Sequence, residues 1–253
     1  MKVVKIGGRA QSDPSLALRI KAAWLAAHGD LCLVHGGGDE VSALQRAMGK
    51  ETAFVGGRRV TSRGDIELLR MVLSGVVNKR LVNCFVAEGI PAVGISGEDA
   101  ALIHSEQIDS ERLGLAGKPT VINVDLLQVL VRSGYMPVIS PVAYWTGEGG
   151  ALNVNGDDAA AAIAVALEAE ELLLVADVDG VRGEDGETIA SLNAETALEL
   201  ISKGIAEGGM AAKLESATAA LESGVNRVRV CSLSGISDFD SGTLIIQPEG
   251  VTT

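Results

Sequence analysis

Cysteine is scarce in this chain, and its positions follow no spacing typical of a metal site or a disulfide framework. Cys32, Cys84 and Cys231 are an odd number at wide intervals among 253 residues, which argues against a disulfide-stapled fold. We expect each cysteine to be a buried small side chain rather than a reactive thiol. This usage is typical of a reducing compartment, the cytoplasm.

Basic residues and long apolar runs are also in short supply. Lys and Arg number 21 against 33 Asp and Glu, for a formal net charge of −12. Because no basic stripe occurs along the chain, we expect no nucleic-acid partner. No apolar run reaches the roughly 20 residues that span a bilayer, and residues 1–25 lack the pattern of a signal peptide. The sequence predicts a cytoplasmic protein with no membrane partner, and its hydrophobic content of 47% suffices for a large core.

The sequence alternates short strand-like runs with longer helical patterns. Several runs are continuously apolar, as strands buried on both faces are. This alternation favours an α/β fold with a mainly parallel sheet and helices on both faces. A second lobe is expected after about residue 165, where the pattern resumes with a strand. The predicted strands are 3–6, 31–35, 91–95, 136–140, 171–176, 227–231 and 243–246, and the predicted helices are 14–28, 39–48, 64–87, 123–133, 156–168, 194–203 and 210–223.

Other local patterns predict two hairpins and one amphipathic helix. Residues 101–122 have the pattern of a hairpin insertion, and Asp185-Gly186 predicts a hairpin turn within 181–189. The helix 64–87 places its apolar side chains on one stripe, which favours core packing, with a subunit interface as the second interpretation. The predicted stripe is Ile66, Leu69, Leu73, Val76, Val77, Leu81 and Cys84.

Glycines collect at the ends of the predicted strands. In an open α/β sheet, ligands bind beyond the carboxyl ends of the strands, and glycine there lets backbone N–H groups approach a phosphate or carboxylate. We therefore predict an anion site at this edge. The Walker A, G-x-G-x-x-G, H-E-x-x-H and G-x-S-x-G motifs are absent, which disfavours a Walker-type ATPase and a Rossmann dehydrogenase. The segments in question are "KIGG", "HGGG", "GISG", "NVNGDD" and "DVDG".

A small set of charged residues accompanies these glycines. Lys5 lies at the end of the first strand, Arg58 and Arg59 follow a glycine pair, and Asp157 and Lys213 lie near predicted helix starts. Any one of them alone would be interpreted as a solvated surface charge. Together they suit phosphoryl transfer, in which cations and N–H groups surround the transferred group.

Seven segments match, in order, the motifs of a known family: "KIGG", "HGGG", "GRRVT", "MVLSGVVNK", "ALNVNGDDAAAAIAVAL", "ELLLVADVDGV" and "GGMAAK". From Lys5 to about Val230 the chain resembles the amino acid kinase family, most closely its acetylglutamate kinases. The resemblance implies a single domain, 1–253, folded as an open three-layer αβα sandwich. An N-terminal lobe, about 1–165, would bind the acyl amino acid, and a C-terminal lobe, about 166–253, would bind ATP. The implied reaction transfers the γ-phosphate of ATP to the γ-carboxylate of N-acetyl-L-glutamate, in arginine biosynthesis.

The same resemblance implies a role for each matching residue. Lys5 and Lys213 would flank the transferred phosphoryl group, and Asp157 would hold both lysines in place. Arg59 would grip the α-carboxylate of the acceptor as a planar donor, and Asn153 would contact the acceptor too. Mg²⁺ would come with ATP and keep most of its water. The loops of Gly7, Gly8, Gly37 and Gly38 would face phosphate and substrate, and the nucleotide would lie against Asp177, Val178, Asp179, Gly180, Val181, Arg182, Ile205, Ala206 and Glu207.

Departures from the family's pattern leave other interpretations open. Position 58 is Arg where an aliphatic residue is usual. This extra cation would either point away or favour another acylated acidic amino acid, N-succinylglutamate or an aminoadipate derivative. A catalytically dead amino-acid or nucleotide sensor is a remote alternative, because such a protein has no need to keep Lys5, Asp157 and Lys213 together. Arginine-inhibited relatives carry a helix before the first strand, so we expect a homodimer without arginine feedback.

Overall fold

The computed structural model describes residues 1–238 and 240–246. Every predicted strand and helix is present, although several ends are displaced, and β8 continues to Trp145 rather than ending near 140. The strands are β1 (Lys2–Ile6), β2 (Leu31–His35), β3 (Phe54–Val55), β4 (Arg58–Arg59), β5 (Ala92–Gly97), β6 (Ile103–Gln107), β7 (Ala116–Ile122), β8 (Met136–Trp145), β9 (Ala151–Val154), β10 (Glu171–Val175), β11 (Ser191–Asn193), β12 (Val228–Cys231) and β13 (Thr243–Ile246). The α-helices are α1 (Leu16–Ala26), α2 (Gly38–Ala47), α3 (Arg63–Leu69), α4 (Asn78–Ala87), α5 (Val124–Arg132), α6 (Gly156–Ala166), α7 (Ala194–Ser202) and α8 (Gly208–Glu222). A π-helix covers Arg70–Val77, and short 3₁₀ helices cover Arg9–Ser12, Asp99–Ala101 and Leu233–Ile236.

One 11-stranded sheet forms the centre of the molecule, in the order β11-β13-β12-β10-β1-β2-β8-β6-β7-β9, with β5 also paired to β8. The central strand β1 is parallel to β2 and to β10. Among the residues that the structure describes, the antiparallel pairs of this sheet are β12–β13, β6–β7 and β8–β9. The predicted mainly parallel sheet is therefore confirmed, and so is the predicted hairpin within 101–122, formed by β6 and β7.

Alternate side chains of β1 enter two cores, one on each face of the sheet. Val3 packs with the apolar faces of α6, α7 and α8. Val4 and Ile6 pack on the opposite side with α1, α3 and α4. These layers make the three-layer αβα sandwich that the sequence predicts. Because Lys5 alternates with Val4 and Ile6, its side chain shares the face of α6 and α8.

The predicted hairpin turn within 181–189 is also confirmed. Arg182 and Thr188 form an antiparallel bridge on either side of the turn, and Gly186 within it has φ +82°. Asn193 caps α7 by accepting a hydrogen bond from the Thr196 amide at 2.7 Å. Gly204 follows the end of that helix with φ +69°, as a helix terminus with glycine requires.

The helix predicted over 64–87 is continuous but changes type in its middle, at the π-helix. An i→i+5 turn is wider than an α-turn, so the phase of the buried face shifts. As a result Val72 is buried and Val76 is 58% exposed. Cys84 is exposed too, so the prediction that Val76 and Cys84 belong to the stripe was wrong.

The prediction that all three cysteines are buried was wrong for one of them. Cys84 is exposed because it lies between the inward positions Leu81 and Phe85 of α4. Cys32 and Cys231 are buried, and burial raises the pKa of their thiols to about 12 and about 11.

The expected division into two lobes near residue 165 stays a prediction. Strands from both sides of that point share the sheet, since β1 pairs with β10. Residues 239 and 247–253 of the expected C-terminal lobe lie outside the described residues. Among the described residues, no helix combines the length and apolarity needed to cross a membrane.

Candidate active site

The strands β1, β2 and β10 end at one edge of the sheet, and the glycine loops meet there. Ile6 is in register with His35, so Gly7 and Gly8 follow β1 beside the glycines that follow β2. Gly37 has φ +151°, and a Cβ at this position would lie 2.7 Å from Leu73 Cδ2. Glycine is therefore required at Gly37 by its conformation and by the close approach of the π-helix.

Three buried charged residues form a cluster at this edge. Asp157 Oδ1 lies 2.9 Å from Lys5 Nζ and 3.0 Å from Lys213 Nζ. The exposed fractions are 8% for Lys5, 5% for Asp157 and 9% for Lys213. Asn155 caps α6 by accepting from the Asp157 amide at 2.8 Å, so the positive end of the helix dipole adds to the cluster. Two cations against one carboxylate leave an excess positive charge that suits an anionic ligand.

The lowered pKa of Asp157 agrees with that charge state, and the pKa of Lys213, although lowered to about 8, is still above pH 7. Burial alone would raise the pKa of Asp157, but the charges of Lys5 and Lys213 outweigh burial and hold this pKa below its usual range. Burial and the neighbouring Lys5 charge lower the pKa of Lys213, with Asp157 opposing them in part. Asp157 is thus a fixed anion that holds two ammonium groups close together.

Arg59, on β4, is held by α2. Its Nη1 donates to Gln45 Oε1 at 2.5 Å, and its Nη2 donates to the Gly38 carbonyl at 2.7 Å and to Ser42 Oγ at 2.8 Å. The guanidinium also lies over the Phe54 ring, 4.7 Å from its centroid. These contacts fix the plane of the guanidinium while leaving further N–H groups to bind a ligand.

Asp65 positions Gln45 in turn. It accepts from Gln45 Nε2 at 3.0 Å and from Lys50 Nζ at 3.0 Å, and it closes a capping box with Ser62 at the start of α3. Burial acts to raise the pKa of Asp65, but its hydrogen bonds outweigh burial and the pKa lies well below the usual range. Sequence reasoning missed Asp65, although the S-x-x-D pattern before an apolar run was the signal for it.

The predicted acceptor residues surround one cavity of about 160 Å³. Gly37, Gly38, Arg59 and Asn153 all line it. Asn153, on β9, donates to Thr61 Oγ1 at 2.9 Å. The cavity also touches Gly156, where a Cβ would lie 3.2 Å from Lys5 Cε. The structure therefore brings the predicted acceptor residues together beside the lysine cluster.

The predicted nucleotide residues gather mostly around a second cavity, of about 220 Å³. Asp177 and Asp179 do not line it: both are exposed, and Asp177 pairs with Arg9 at 3.3 Å. Met210 also lines this cavity and lies one turn before Lys213 on α8, so this helix connects the cavity to the cluster. The predicted residues that line it are Val178, Gly180, Val181, Arg182, Ile205, Ala206 and Glu207.

His35 supports the loop of Gly36 to Gly38 from below. Its Nδ1 lies 2.8 Å from the Gly36 carbonyl and its Nε2 lies 3.1 Å from Asn78 Nδ2. Burial lowers the pKa of His35 to about 4. The imidazole is therefore neutral at pH 7, donating to Gly36 and accepting from Asn78, which is a positioning role and not proton transfer.

The comparisons with known proteins agree with this geometry. The model of the amino acid kinase family matches residues 1–232. The chain belongs to the amino acid kinase family. The acetylglutamate kinase of Cereibacter sphaeroides is 39% identical over 98% of this chain and 88% of its own. That of Ruegeria pomeroyi is 42% identical over 89% of this chain and 79% of its own. The crystal structure of smu.665 from Streptococcus mutans UA159 has a TM-score of 0.89 at 29% identity, with 98% of each chain covered.

One residue that departs from the amino acid kinase pattern has partners that the sequence did not reveal. Arg58 Nη2 donates to Asp158 Oδ2 at 2.9 Å, and Ser216 Oγ donates to Asp158 Oδ1 at 2.7 Å. Asp158 and Ser216 were missed because they lie 100 and 158 residues from Arg58 along the chain. Only the fold brings them together.

Proposed function

We propose that this protein is an ATP-dependent acetylglutamate kinase, which phosphorylates the γ-carboxylate of N-acetyl-L-glutamate in arginine biosynthesis. The observation that carries the proposal is the buried Lys5–Asp157–Lys213 cluster next to a cavity lined by Arg59 and Asn153. The names of the similar curated kinases support the choice of acceptor.

The acceptor would bind with its α-carboxylate at Arg59. The hydrogen bonds of this guanidinium to Gln45, Ser42 and Gly38 fix its direction. Little conformational entropy of the side chain is therefore lost when the carboxylate binds. Asn153 would contact the acceptor from the other side of the cavity. The γ-carboxylate would then face the cluster, and because a carboxylate is ionised at pH 7 it attacks phosphorus without a general base.

The lysines would stabilise the charge that spreads over the transferred phosphoryl group. Their ammonium groups are already gathered around Asp157, so the site needs little reorganisation during transfer. Asp157 offsets the mutual repulsion of the lysines and sets their spacing. Backbone N–H groups of Gly7, Gly8, Gly37 and Gly38 would add neutral donors around the phosphates.

ATP would occupy the cavity lined by Val178, Gly180, Val181, Arg182, Ile205, Ala206 and Glu207. Within residues 1–238 and 240–246, no group of three or more His, Cys, Asp or Glu side chains is placed to hold a metal ion. Mg²⁺ fits a site of this kind when the phosphates and water supply its ligands. It would arrive on ATP and neutralise part of the phosphate charge.

We also propose a cytoplasmic homodimer. The outer side of the π-helix exposes Met71 at 54% and Val76 at 58%, and apolar side chains of this kind on one helix suit a subunit interface. The dimer is independent of the chemistry.

The kinase assignment is tested by ADP release from Mg-ATP with four acceptors: N-acetyl-L-glutamate, N-succinyl-L-glutamate, N-acetyl-L-aminoadipate and free glutamate. We expect N-acetyl-L-glutamate to give the highest kcat/KM. Lys213→Ala should lower kcat by about 10³-fold because a transition-state cation is lost. Lys203→Ala is the matched control, since Lys203 is exposed and pairs loosely with Glu184 and Glu199 at 3.7 and 3.8 Å.

Two results would contradict the proposal. A higher kcat/KM with another acceptor would leave the chemistry but overturn the acceptor. ATP binding without turnover of any acceptor would overturn the kinase assignment in favour of a sensor.

A further inference from the structure

The acceptor-binding arginine lies on a very small structural element, the hairpin of β3 and β4. Each strand has two residues, and the turn between them is Gly56-Gly57, with φ +54° and +72°. Two consecutive positive φ values are typical of a tight two-residue hairpin turn and favour glycine. A two-stranded hairpin is marginally stable by itself. Its position in the active site must therefore come from contacts with the rest of the molecule.

Adjacent residues of β4 point to opposite faces and hold the hairpin from both sides. Arg59 bonds to α2, through Ser42 and Gln45. Arg58 bonds instead to α6, through Asp158 at 2.9 Å. Ser216 of α8 donates to the other oxygen of the same carboxylate at 2.7 Å. Arg58, Asp158 and Ser216 therefore make a continuous connection from the hairpin to two helices, and we call these three residues the latch.

The latch runs beside the catalytic cluster, on the same two helices. Asp158 directly follows Asp157 on α6, and Ser216 lies one turn after Lys213 on α8. The tip of the hairpin also touches α8, because a Cβ at Gly57 would lie 3.6 Å from Ala212 Cβ. The latch thus connects the element that binds the acceptor to the elements that act on the phosphoryl group.

We propose that the latch positions the acceptor-binding hairpin relative to Asp157 and Lys213, and that Arg58 is a positioning residue for phosphoryl transfer. Its kinetic consequences rest on the proposed function. The latch itself is a property of the folded chain and is tested without turnover.

The same geometry argues against Arg58 as a contact for an anionic acyl group. Its Nη2 is bonded to Asp158, and the exposed fractions of the two side chains are 27% and 17%. The charge of Asp158 neutralises the guanidinium where it stands. Although Arg58 lines the acceptor cavity, its ion pair with Asp158 makes it a weak partner for a second carboxylate, and we expect no preference for a succinyl over an acetyl group.

Hydrogen–deuterium exchange of the peptide that covers residues 53–60 tests the latch in the absence of substrates. The Val60 amide, which bonds to the Ala53 carbonyl at 3.0 Å, reports opening of the hairpin. We expect Arg58→Ala and Asp158→Asn each to speed its exchange about fivefold, and the double variant to equal either single variant, because partners in one interaction are not additive. The exchange rate of Arg58→Lys should stay within about twofold of wild type. A single hydrogen bond to one carboxylate oxygen needs a cation but not the two parallel N–H donors of a guanidinium.

The matched control is Arg63→Ala, five residues along the chain from Arg58. Arg63 pairs with Glu148 at 3.4 Å, with exposed fractions of 83% and 66%, so its loss should leave the exchange unchanged. Equal exchange in wild type and Arg58→Ala, or strictly additive effects in the double variant, would overturn the latch.

Steady-state kinetics with the same variants gives the functional readout. We expect the KM for N-acetyl-L-glutamate to rise about fivefold in Arg58→Ala and Asp158→Asn, in step with hairpin opening, while the KM for ATP stays within about twofold. The preference for the acetyl over the succinyl acceptor should not change.

A selective change in use of the succinyl compound would overturn the positioning role, because it would make Arg58 an acyl contact. If the wild type phosphorylates no acceptor, the proposed function fails, and the exchange result still decides the latch.

Discussion

At the scale of single residues, the charged residues of the candidate site were predictable from the sequence, whereas the polar side chains that hold Arg58 and Arg59 were not. A lysine at a strand end, such as Lys5, is unusual in a sequence, and the family motifs single out Asp157 and Lys213. Gln45 and Ser216 are ordinary polar residues on helices, and their roles depend on which strand the fold places opposite them. Local pattern carries no information about such pairings.

His35 gives the first prediction at this scale. The pKa of His35 is about 4 in the folded protein and about 6.5 in the unfolded chain. Between these two pH values the imidazole is mostly protonated in the unfolded chain and mostly neutral in the folded protein. The stability that neutral His35 contributes is therefore fully present above pH 6.5 and is lost as the pH falls toward 4. Between pH 7 and pH 5 we expect His35 to cost about 2 kcal/mol of unfolding free energy, or about 4–8 °C in Tm.

Thermal unfolding at both pH values measures this effect. His35→Gln keeps an amide in place of the ring and should lose less stability on acidification than the wild type does. His28→Asn is the matched control, because His28 is exposed and its φ of +53° is one that Asn tolerates. An equal fall in Tm for wild type and His35→Gln would show that another group accounts for the acid sensitivity.

At the scale of elements, the longer strands and the helices are present in the predicted order, but the short strands β3, β4, β9 and β11 were not predicted, and neither was the phase of the long helix. The stripe predicted over 64–87 assumed α-helical spacing throughout. The π-helix of Arg70–Val77 changes which side chains face inward. Its turn brings Leu73 against Gly37, a contact between residues 36 positions apart that no local pattern contains.

The outer side of this helix carries the prediction for the homodimer. Val76→Asp places a charge at a side chain that is 58% exposed in one subunit. If this helix forms the interface, the buried charge should convert the dimer to a monomer, because an unpaired charge is costly in an apolar contact. Light scattering coupled to size-exclusion chromatography measures the mass. Val121→Asp, at a side chain that is 59% exposed on β7, is the control and should remain dimeric. A monomeric wild type would rule out the dimer altogether.

At the scale of the whole molecule, the two ends of the parallel strands serve different purposes. The carboxyl ends of β1, β2 and β10 carry the glycine loops and the lysine cluster. The opposite ends of β1, β10 and β12 are tied together by a buried charge network. Glu171 lies 3.0 Å from Lys2 Nζ and 3.0 Å from Arg229 Nε. Arg229 is 2% exposed and donates to the carbonyls of Gly235 and Asp238, so the network also fixes the segment that follows β12.

This separation predicts a variant that loses stability and keeps activity. Glu171→Gln leaves Arg229 buried without its carboxylate, which should lower the unfolding free energy by about 3 kcal/mol and Tm by about 6–12 °C. Burial acts to raise the pKa of Glu171, but the charges of Arg229 and Lys2 outweigh burial and the pKa is lowered. In the wild type the stability that ionised Glu171 contributes is therefore present at neutral pH and is lost on strong acidification. Because the network is at the far end of the strands, kcat and both KM values should stay within about twofold of wild type at 25 °C.

Glu170→Gln, at the adjacent exposed residue, is the control for stability. A Glu171→Gln protein with unchanged Tm, or one with lowered kcat at full folding, would contradict the separation of stability from catalysis along these strands.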